Sequence, residues 1–250
     1  MCFDDDSSPP IPVISGAAVS HEDLELDAAD GNRFAAFAAL PDESSDVGIV
    51  VLPDVRGLYR FYEELALRFA ERGYAAIAFD YFGRTAGVEK RGDDFEYMPH
   101  VQSVKPVEIQ ADVAACIASL EQHGVSTVFT VGFCMGGRHS WLSAAGGHDL
   151  AGAIGFYGRT REGQDGSPGP IQRAPEMECP ILALQAGDDQ NITAEDNAAF
   201  EEALRAAGVS HEVVTYPGAP HSFFDRKQED FADASEDAWN RVVAFIEKYS

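Results

Sequence analysis

The sequence predicts an α/β fold with a mostly parallel central sheet, helices on both faces and an N-terminal hairpin at one edge. Short apolar runs such as residues 48–52 and 128–131 are typical of strands that are buried on both faces. Apolar residues at helical spacing lie between such runs, and a strand, a helix and a strand in a short span indicate a crossover between parallel strands. Polar and apolar residues alternate at 22–26, Asp30-Gly31-Asn32 is a turn signal, and residues 33–40 follow as a second strand, which together indicate the hairpin.

The first half of the chain contains the hairpin and the first crossover. Its predicted elements are strands 22–26, 33–40 and 48–52, helix 62–72, strand 75–79 and a helix around 109–120. Gly73 is a typical residue just beyond a helix end, and the apolar spacing of the last helix assigns Cys116 to its buried face. Residues 80–100 are rich in glycine and charge, and this connection is long enough to line a cleft.

The second half repeats the alternation of strands and helices. Its predicted elements are strands 128–131, 151–157, 180–185 and 211–216, a helix between Thr193 and Gly208, and a C-terminal helix. Thr193 is expected to cap the first of these helices with Asp196 three residues later, and a Gly/Pro-rich loop is expected at 159–175.

Length and composition predict one globular domain over residues 1–250, with residues 1–20 as an extended N-terminal arm. The chain has 250 residues and 45% apolar content without a membrane-spanning apolar run. The N-terminus is acidic and lacks the basic and apolar parts of a secretory signal, and prolines at 9, 10 and 12 disfavour regular structure there. We therefore expect a soluble, cytoplasmic protein.

The charge and the cysteines exclude several classes of partner. A formal net charge of −24 makes nucleic acid and anionic membranes unfavourable partners. The four cysteines form no C-x-x-C pair, so the sequence predicts neither a metal site nor a disulfide framework, and no cofactor. The sequence does not determine the oligomeric state, and it is compatible with self-association.

A nucleophile framed by glycines follows the apolar run at 128–131. Gly132-Phe133-Cys134-Met135-Gly136 has the pattern of a nucleophile elbow, in which a sharp strand-to-helix turn raises the central side chain above the sheet. The competing interpretation is that Cys134 is a buried apolar filler, which is common for free cysteines. The order of Cys134, a later aspartate and a later histidine is the order that α/β-hydrolases use, and it favours the nucleophile.

The candidate base is His221, which lies in a loop constrained by two prolines and a glycine just after the last predicted strand. His139, in the helix after the elbow, is the weaker alternative. The candidate acid is Asp188 or Asp189, because both follow the strand at 180–185, and either could orient the imidazole.

These residues are similar to the motifs of the dienelactone hydrolase family (carboxymethylenebutenolidase type), from about Ile49 to the C-terminus. GFCMGG resembles the family's cysteine motif, and YPGAPHSF resembles its histidine loop. In the family's acid motif a glycine, two variable residues and an aspartate precede isoleucine-proline, and aligning Ile192 on that isoleucine puts Asp189 on the acid. Ala186 and Thr193 depart from that motif, which keeps Asp188 as the alternative.

The resemblance implies an α/β-hydrolase fold and hydrolysis of a lactone or small carboxylic ester through a Cys-His-Asp triad and a thioester. The backbone N–H groups of Met135 and Val55 would form the oxyanion hole. Candidate substrate-binding residues are Asp54 (a glutamate in the family), Arg84 (expected to bind a substrate carboxylate), Phe82, Tyr157, Ser222 and Phe223. A second family arginine falls at Asp225, with Arg226 one place later.

Two other functions compete with this one. Peptidase activity is the weaker enzymatic interpretation, because an amide demands more acid assistance than a lactone. The alternative outside enzymology is a scaffold that binds a ligand without turnover or uses Cys134 as a redox-sensing thiol.

Overall fold

The computed structural model describes residues 6–92, 94–163 and 165–250, so Cys2 lies outside the described residues. The chain forms two compact units. The first is Ile11–Val128, and the second joins the described residues up to Pro10 with Phe129–Ser250. Residues 6–18 contain no helix or strand. The single-domain organisation stays a prediction.

The first unit contains the N-terminal hairpin and a parallel strand pair. Its strands, in spatial order, are β1 (Val19–Asp27), β2 (Arg33–Pro41), β4 (Ala75–Phe79) and β3 (Val47–Leu52). β1 pairs antiparallel with β2, β2 antiparallel with β4, and β3 parallel with β4. The hairpin turn places Gly31 at φ 84°, a conformation that glycine adopts at little cost. The predicted hairpin and the β3-to-β4 crossover are confirmed.

Four helices complete the first unit. They are α1 (Arg60–Ala70), α2 (Gly83–Ala86), α3 (Tyr97–Val101) and α4 (Pro106–Glu121). α1 packs on β2 and β4, and α4 buries Cys116 as its apolar spacing predicts. The long connection at residues 80–100 contains α2 and most of α3, and its role in lining a cleft stays a prediction.

The second unit is built on four parallel strands. They are β5 (Thr127–Phe133), β6 (Gly152–Phe156), β7 (Ile181–Ala186) and β8 (His211–Tyr216), paired in that order. β6 and β7 are buried along their whole length, and β5 is buried after its first residue. Their sequences are mainly apolar, as expected of strands that are covered on both faces. The mixed α/β class with mostly parallel strands is therefore confirmed.

The helices of the second unit are α5 (Met135–Ser143), α6 (Pro170–Arg173), α7 (Ala194–Ala207) and α8 (Ala232–Tyr249). α7 has the predicted ends: Thr193 Oγ1 accepts a hydrogen bond of 3.2 Å from the Asp196 N–H, and Gly208 is left-handed at φ 72°. No helix of the described residues is long and apolar enough to span a bilayer.

Candidate active site

The chain reverses at Cys134, between the end of β5 and the start of α5. Cys134 has φ 55° and ψ −112°, a conformation that few residues with a side chain adopt. Its N–H donates to the Phe156 carbonyl over 3.0 Å, which ties the turn to the end of β6. The side chain is partly exposed, unlike the buried thiols of Cys116 and Cys179. This geometry is the predicted elbow, with its central residue strained.

Two glycines allow strand and helix to pass closely at the elbow. A Cβ on Gly132 would lie 2.0 Å from the Gly136 carbonyl oxygen, and one on Gly137 would lie 2.6 Å from the Phe156 carbonyl oxygen. Both distances are far below van der Waals contact, so neither position accepts a side chain without moving backbone. The sequence identified the first of these glycines from the motif, whereas the crowding at Gly137 depends on β6.

His221 lies in a loop after β8, defined here as the histidine loop (residues 217–228). Two backbone hydrogen bonds hold its first part: the Asp188 N–H donates to Ala219 O over 2.9 Å, and the Phe223 N–H donates to Pro220 O over 3.2 Å. Ser222, next to the histidine, has φ 64°. The loop therefore presents His221 from a strained and hydrogen-bonded backbone.

The imidazole of His221 is bonded to Asp189. Its Nδ1 donates to Asp189 Oδ2 over 2.5 Å, while Asp189 Oδ1 accepts the N–H groups of Asn191 and Ile192 at 2.8 and 3.2 Å. Burial raises the pKa of the Asp189 carboxyl, but the bonds from His221 and the two amides outweigh it, so this pKa is lowered. The carboxylate is thus ionised and fixed on the Nδ1 side of the ring.

Asp188 has a different environment from its neighbour. It is exposed, and its Oδ1 accepts a bond of 3.3 Å from the Gln190 side chain. The two adjacent carboxylates therefore have different partners. Their catalytic roles stay predictions.

His139, the weaker alternative for the base, lies on the buried side of α5. Burial lowers its pKa to about 3, with a smaller contribution from the charge of Arg138. Within the described residues its Nδ1 has no hydrogen-bond partner. A histidine that stays neutral and buried is a poor proton acceptor for a substrate.

An aromatic ring, that of Tyr157, packs against the imidazole of His221. The ring centroid of Tyr157 lies 4.8 Å from that of His221 and 5.7 Å from that of Phe223, and both aromatic residues are fully buried. Phe82, in the first unit, is also fully buried and packs 5.6 Å from Phe95. The substrate-binding roles of Phe82, Tyr157, Ser222 and Phe223 remain predictions.

The loop after β3, in the first unit, contains Asp54 and Val55. Asp54 is 0% exposed. Its Oδ1 accepts a hydrogen bond from the Arg56 N–H at 2.8 Å, and its Oδ2 accepts one from the Tyr59 hydroxyl at 3.4 Å. Its own N–H donates to Tyr62 Oη at 2.9 Å. Burial raises the pKa of Asp54 to about 6 because these bonds only partly offset desolvation. Asp54 is therefore a buried acid that titrates near neutrality.

The predicted oxyanion-hole amides are those of Val55 and Met135. Met135 is the first residue of α5, where an N–H has no acceptor within its own helix. Among the described residues neither amide donates a hydrogen bond to backbone outside the regular elements or to a side chain. The oxyanion-hole role of these two N–H groups stays a prediction.

Arg84 is held by carboxylates of its own unit. Its guanidinium donates to both oxygens of Asp112 at 2.7 and 2.9 Å, to Asp30 at 2.7 and 3.1 Å, and to Glu108 O at 3.2 Å. A substrate carboxylate would have to displace one of these acceptors. The predicted role of Arg84 in binding that group is untested, and these contacts argue for a structural role.

The sequence analysis missed Arg138, a buried arginine of α5. Its guanidinium donates to the carbonyls of Arg159, Arg161 and Pro168, and burial lowers its pKa to about 10. It therefore fastens the loop after β6 to the elbow helix. The signal in the sequence was a charged residue one turn after the nucleophile, on a helix that must be buried.

Comparisons with known proteins place these features in a family. Residues 34–250 match the model of the dienelactone hydrolase family. An Escherichia coli (strain K12) protein, provisionally named carboxymethylenebutenolidase, is 31% identical over 231 residues, which cover 88% of this chain and 84% of that protein. The carboxymethylenebutenolidase of Rhodococcus opacus is 28% identical over 263 residues, covering 100% and 97% of the two chains.

Solved structures are similar in fold. A crystal structure from Klebsiella pneumoniae, provisionally named a dienelactone hydrolase, superposes with a TM-score of 0.81 at 25% identity. The match covers 93% of this chain and 100% of that one. The likeness in fold therefore spans nearly the whole of both chains.

Proposed function

The chain belongs to the dienelactone hydrolase family, and on this premise we propose that it cleaves a lactone or small carboxylic ester with Cys134 as nucleophile. Membership makes it a hydrolase of the dienelactone hydrolase type that acts on small molecules. The observation that carries the finer assignment is the 2.5 Å contact between His221 Nδ1 and Asp189 Oδ2, in the same unit as the strained Cys134.

The first step forms a thioester. His221 Nε2 takes the proton of Cys134, and Sγ attacks the carbonyl carbon of the substrate to give a tetrahedral oxyanion. The N–H groups of Met135 and Val55 are the proposed donors to that oxyanion. Collapse breaks the ring or ester C–O bond, and the imidazolium returns its proton to the leaving oxygen.

The second step is hydrolysis of the thioester. A water molecule gives its proton to His221 as its oxygen attacks the acyl carbon, and the second tetrahedral intermediate expels the Cys134 thiolate, which regains a proton from the imidazolium. Asp189 stays ionised throughout, orients the ring through Nδ1 so that Nε2 is the proton-accepting nitrogen, and stabilises its positive charge. Its lowered pKa supports that role.

The environment of His221 favours this role over a purely structural one. An imidazole that only fills space does not need a carboxylate that is itself fixed by two amides. The positive φ values of Cys134 and Ser222 put strain next to both proposed catalytic side chains, and such strain concentrates at functional sites.

The test is turnover of a panel of lactones and activated esters by the wild type, Cys134→Ala, Cys134→Ser and His221→Ala. We expect both alanine variants to be inactive and Cys134→Ser to be severely impaired, because a serine hydroxyl needs more complete deprotonation than a thiol. Cys116→Ala is the matched control, since this thiol is buried in α4, and it should retain wild-type kcat.

Mass spectrometry of the intact protein separates the enzyme from the redox alternative. An acyl adduct on Cys134 that forms with substrate and disappears on hydrolysis supports the proposal. A stable sulfenate or disulfide under mild peroxide, together with no hydrolysis of any substrate in the panel, would replace it with the sensor interpretation.

A further inference from the structure

Residues 6–10, called the arm segment here, lie along the end of the histidine loop. Ser7 is 1% exposed, and its hydroxyl donates to Asp225 Oδ2 over 2.6 Å. The Ser8 N–H approaches the other oxygen of the same carboxylate at 3.4 Å. One buried carboxylate thus binds the arm segment through both of its oxygens.

The histidine loop also donates hydrogen bonds to the arm segment. The Arg226 N–H donates to Ser8 O over 3.0 Å, and the Arg226 guanidinium donates to Pro9 O over 3.3 Å. Lys227 forms an ion pair with Asp6. Donors and acceptors on both segments fix the register of the arm segment against the loop.

Asp225 also organises the loop itself. Its Oδ1 accepts the Lys227 N–H at 3.1 Å, its carbonyl accepts the Gln228 N–H at 2.9 Å, and its own N–H donates to Phe223 O at 2.9 Å. Because Phe223 is two residues from His221, a shift of Asp225 is transmitted directly to the strained turn at Ser222. The carboxylate is 5% exposed, so loss of the Ser7 hydroxyl leaves it short of a donor that water cannot easily replace.

We propose that Ser7 and Asp225 are positioning residues for His221, with the arm segment serving as the fixed support of the histidine loop. This inference rests on the proposed function, in which His221 is the base. Efficient proton transfer requires the imidazole to be held within about 0.5 Å of its productive position by surrounding groups. Asp189 fixes the ring at Nδ1, and the arm segment fixes the backbone from which the ring projects.

The test compares Ser7→Ala with Ser8→Ala, a matched control because the contacts of Ser8 are made by its backbone. For each we would measure kcat, KM and hydrogen exchange of the histidine-loop amides. Ser7→Ala should lower kcat by about three- to tenfold, leave KM within about twofold and speed exchange at Arg226 and its neighbours. Ser8→Ala should behave as wild type, and Ser7→Thr, which restores a hydroxyl, should recover most of kcat.

Unchanged kcat in Ser7→Ala overturns the positioning role, whether or not loop exchange is faster, and so does an equal loss in Ser8→Ala. Should Ser7→Ala fail to fold, Asp225→Asn, which keeps the size and the Oδ1 acceptor, is measured with the same expectation. A different result would show that the proposed function itself is wrong. In that case His221→Ala would hydrolyse substrate at the wild-type rate. The positioning role fails alone when His221→Ala is inactive and Ser7→Ala is not impaired.

Discussion

Asp189 places Oδ2 2.5 Å from Nδ1 of His221, whereas the adjacent Asp188 is exposed and bonded to Gln190. We predict that Asp189→Asn lowers kcat/KM by about 10²- to 10⁴-fold, because an amide neither holds the same tautomer nor stabilises the imidazolium. Asp188→Asn is the matched control and should remain within about twofold of wild type. Steady-state kinetics on an activated ester measure both.

A larger loss of kcat/KM in Asp188→Asn than in Asp189→Asn would contradict the assignment of Asp189 as the acid. Equal small losses would mean that His221 works without an orienting carboxylate. Circular dichroism and thermal unfolding of both variants show whether a loss in Asp189→Asn comes from the chemistry or from the turn, because Asp189 Oδ1 also binds two backbone amides.

The elbow gives a prediction about stability. A Cβ at Gly132 would lie 2.0 Å from the Gly136 carbonyl oxygen, so we expect Gly132→Ala to destabilise the protein by about 4 kcal/mol or more and to abolish activity. Gly92 is the matched control, because a Cβ there would meet no atom of the described residues within 4 Å. Gly92→Ala should be neutral or stabilising by up to about 1 kcal/mol. Urea unfolding measures both, and a near-neutral Gly132→Ala would contradict the close contact.

Local sequence was sufficient for much of the fold and for the elbow. Apolar runs, helix caps and Gly/Pro turns act over a few residues, which is why the strands of the second unit and the ends of α7 were predictable. The elbow was predictable for the same reason, since its strand, its glycine and Cys134 are contiguous.

Side-chain partners that are distant in sequence were not predictable. Arg84 binds Asp112, 28 residues away, and Ser7 binds Asp225, 218 residues away. No periodicity encodes such pairs, because they depend on how separate elements pack. The motif resemblance placed Arg84 at a substrate position, and only the contacts of its guanidinium indicate a structural role.

Arg84→Ala should therefore act mainly on stability. Asp112 is buried, and burial raises its pKa despite the bonds from Arg84 and Asn32. Within the part of the chain that the structure describes, removing the guanidinium leaves this carboxylate with only the Asn32 amide, and we expect a loss of about 3 kcal/mol in the free energy of unfolding. The matched control is Arg33→Ala, since the side chain of Arg33 is 60% exposed and pairs with Asp27 on the surface. That variant should unfold at nearly the same urea concentration as the wild type, because exposed ion pairs contribute little to stability.

Substrates with and without a carboxylate distinguish a structural role of Arg84 from a role in binding the substrate. We expect Arg84→Ala to change kcat/KM for carboxylated and neutral substrates by the same factor, measured at a temperature where the variant is folded. A loss of about tenfold or more confined to carboxylated lactones would show instead that Arg84 exchanges one of its acceptors for the substrate.

Asp54 gives the last prediction, on the pH dependence of stability. Burial raises its pKa from an ordinary 3.8 to about 6, so the fold stabilises the protonated form. As pH rises between these values, the unfolded chain releases this proton first, and the free energy of unfolding falls by about 3 kcal/mol for a shift of about two units.

Asparagine cannot ionise, so Asp54→Asn should lack this part of the decline. Urea unfolding from about pH 4 to 7 would measure it, with Asp42→Asn as an exposed control that keeps the decline. Parallel pH profiles for wild type and Asp54→Asn would mean that Asp54 is already ionised at pH 4.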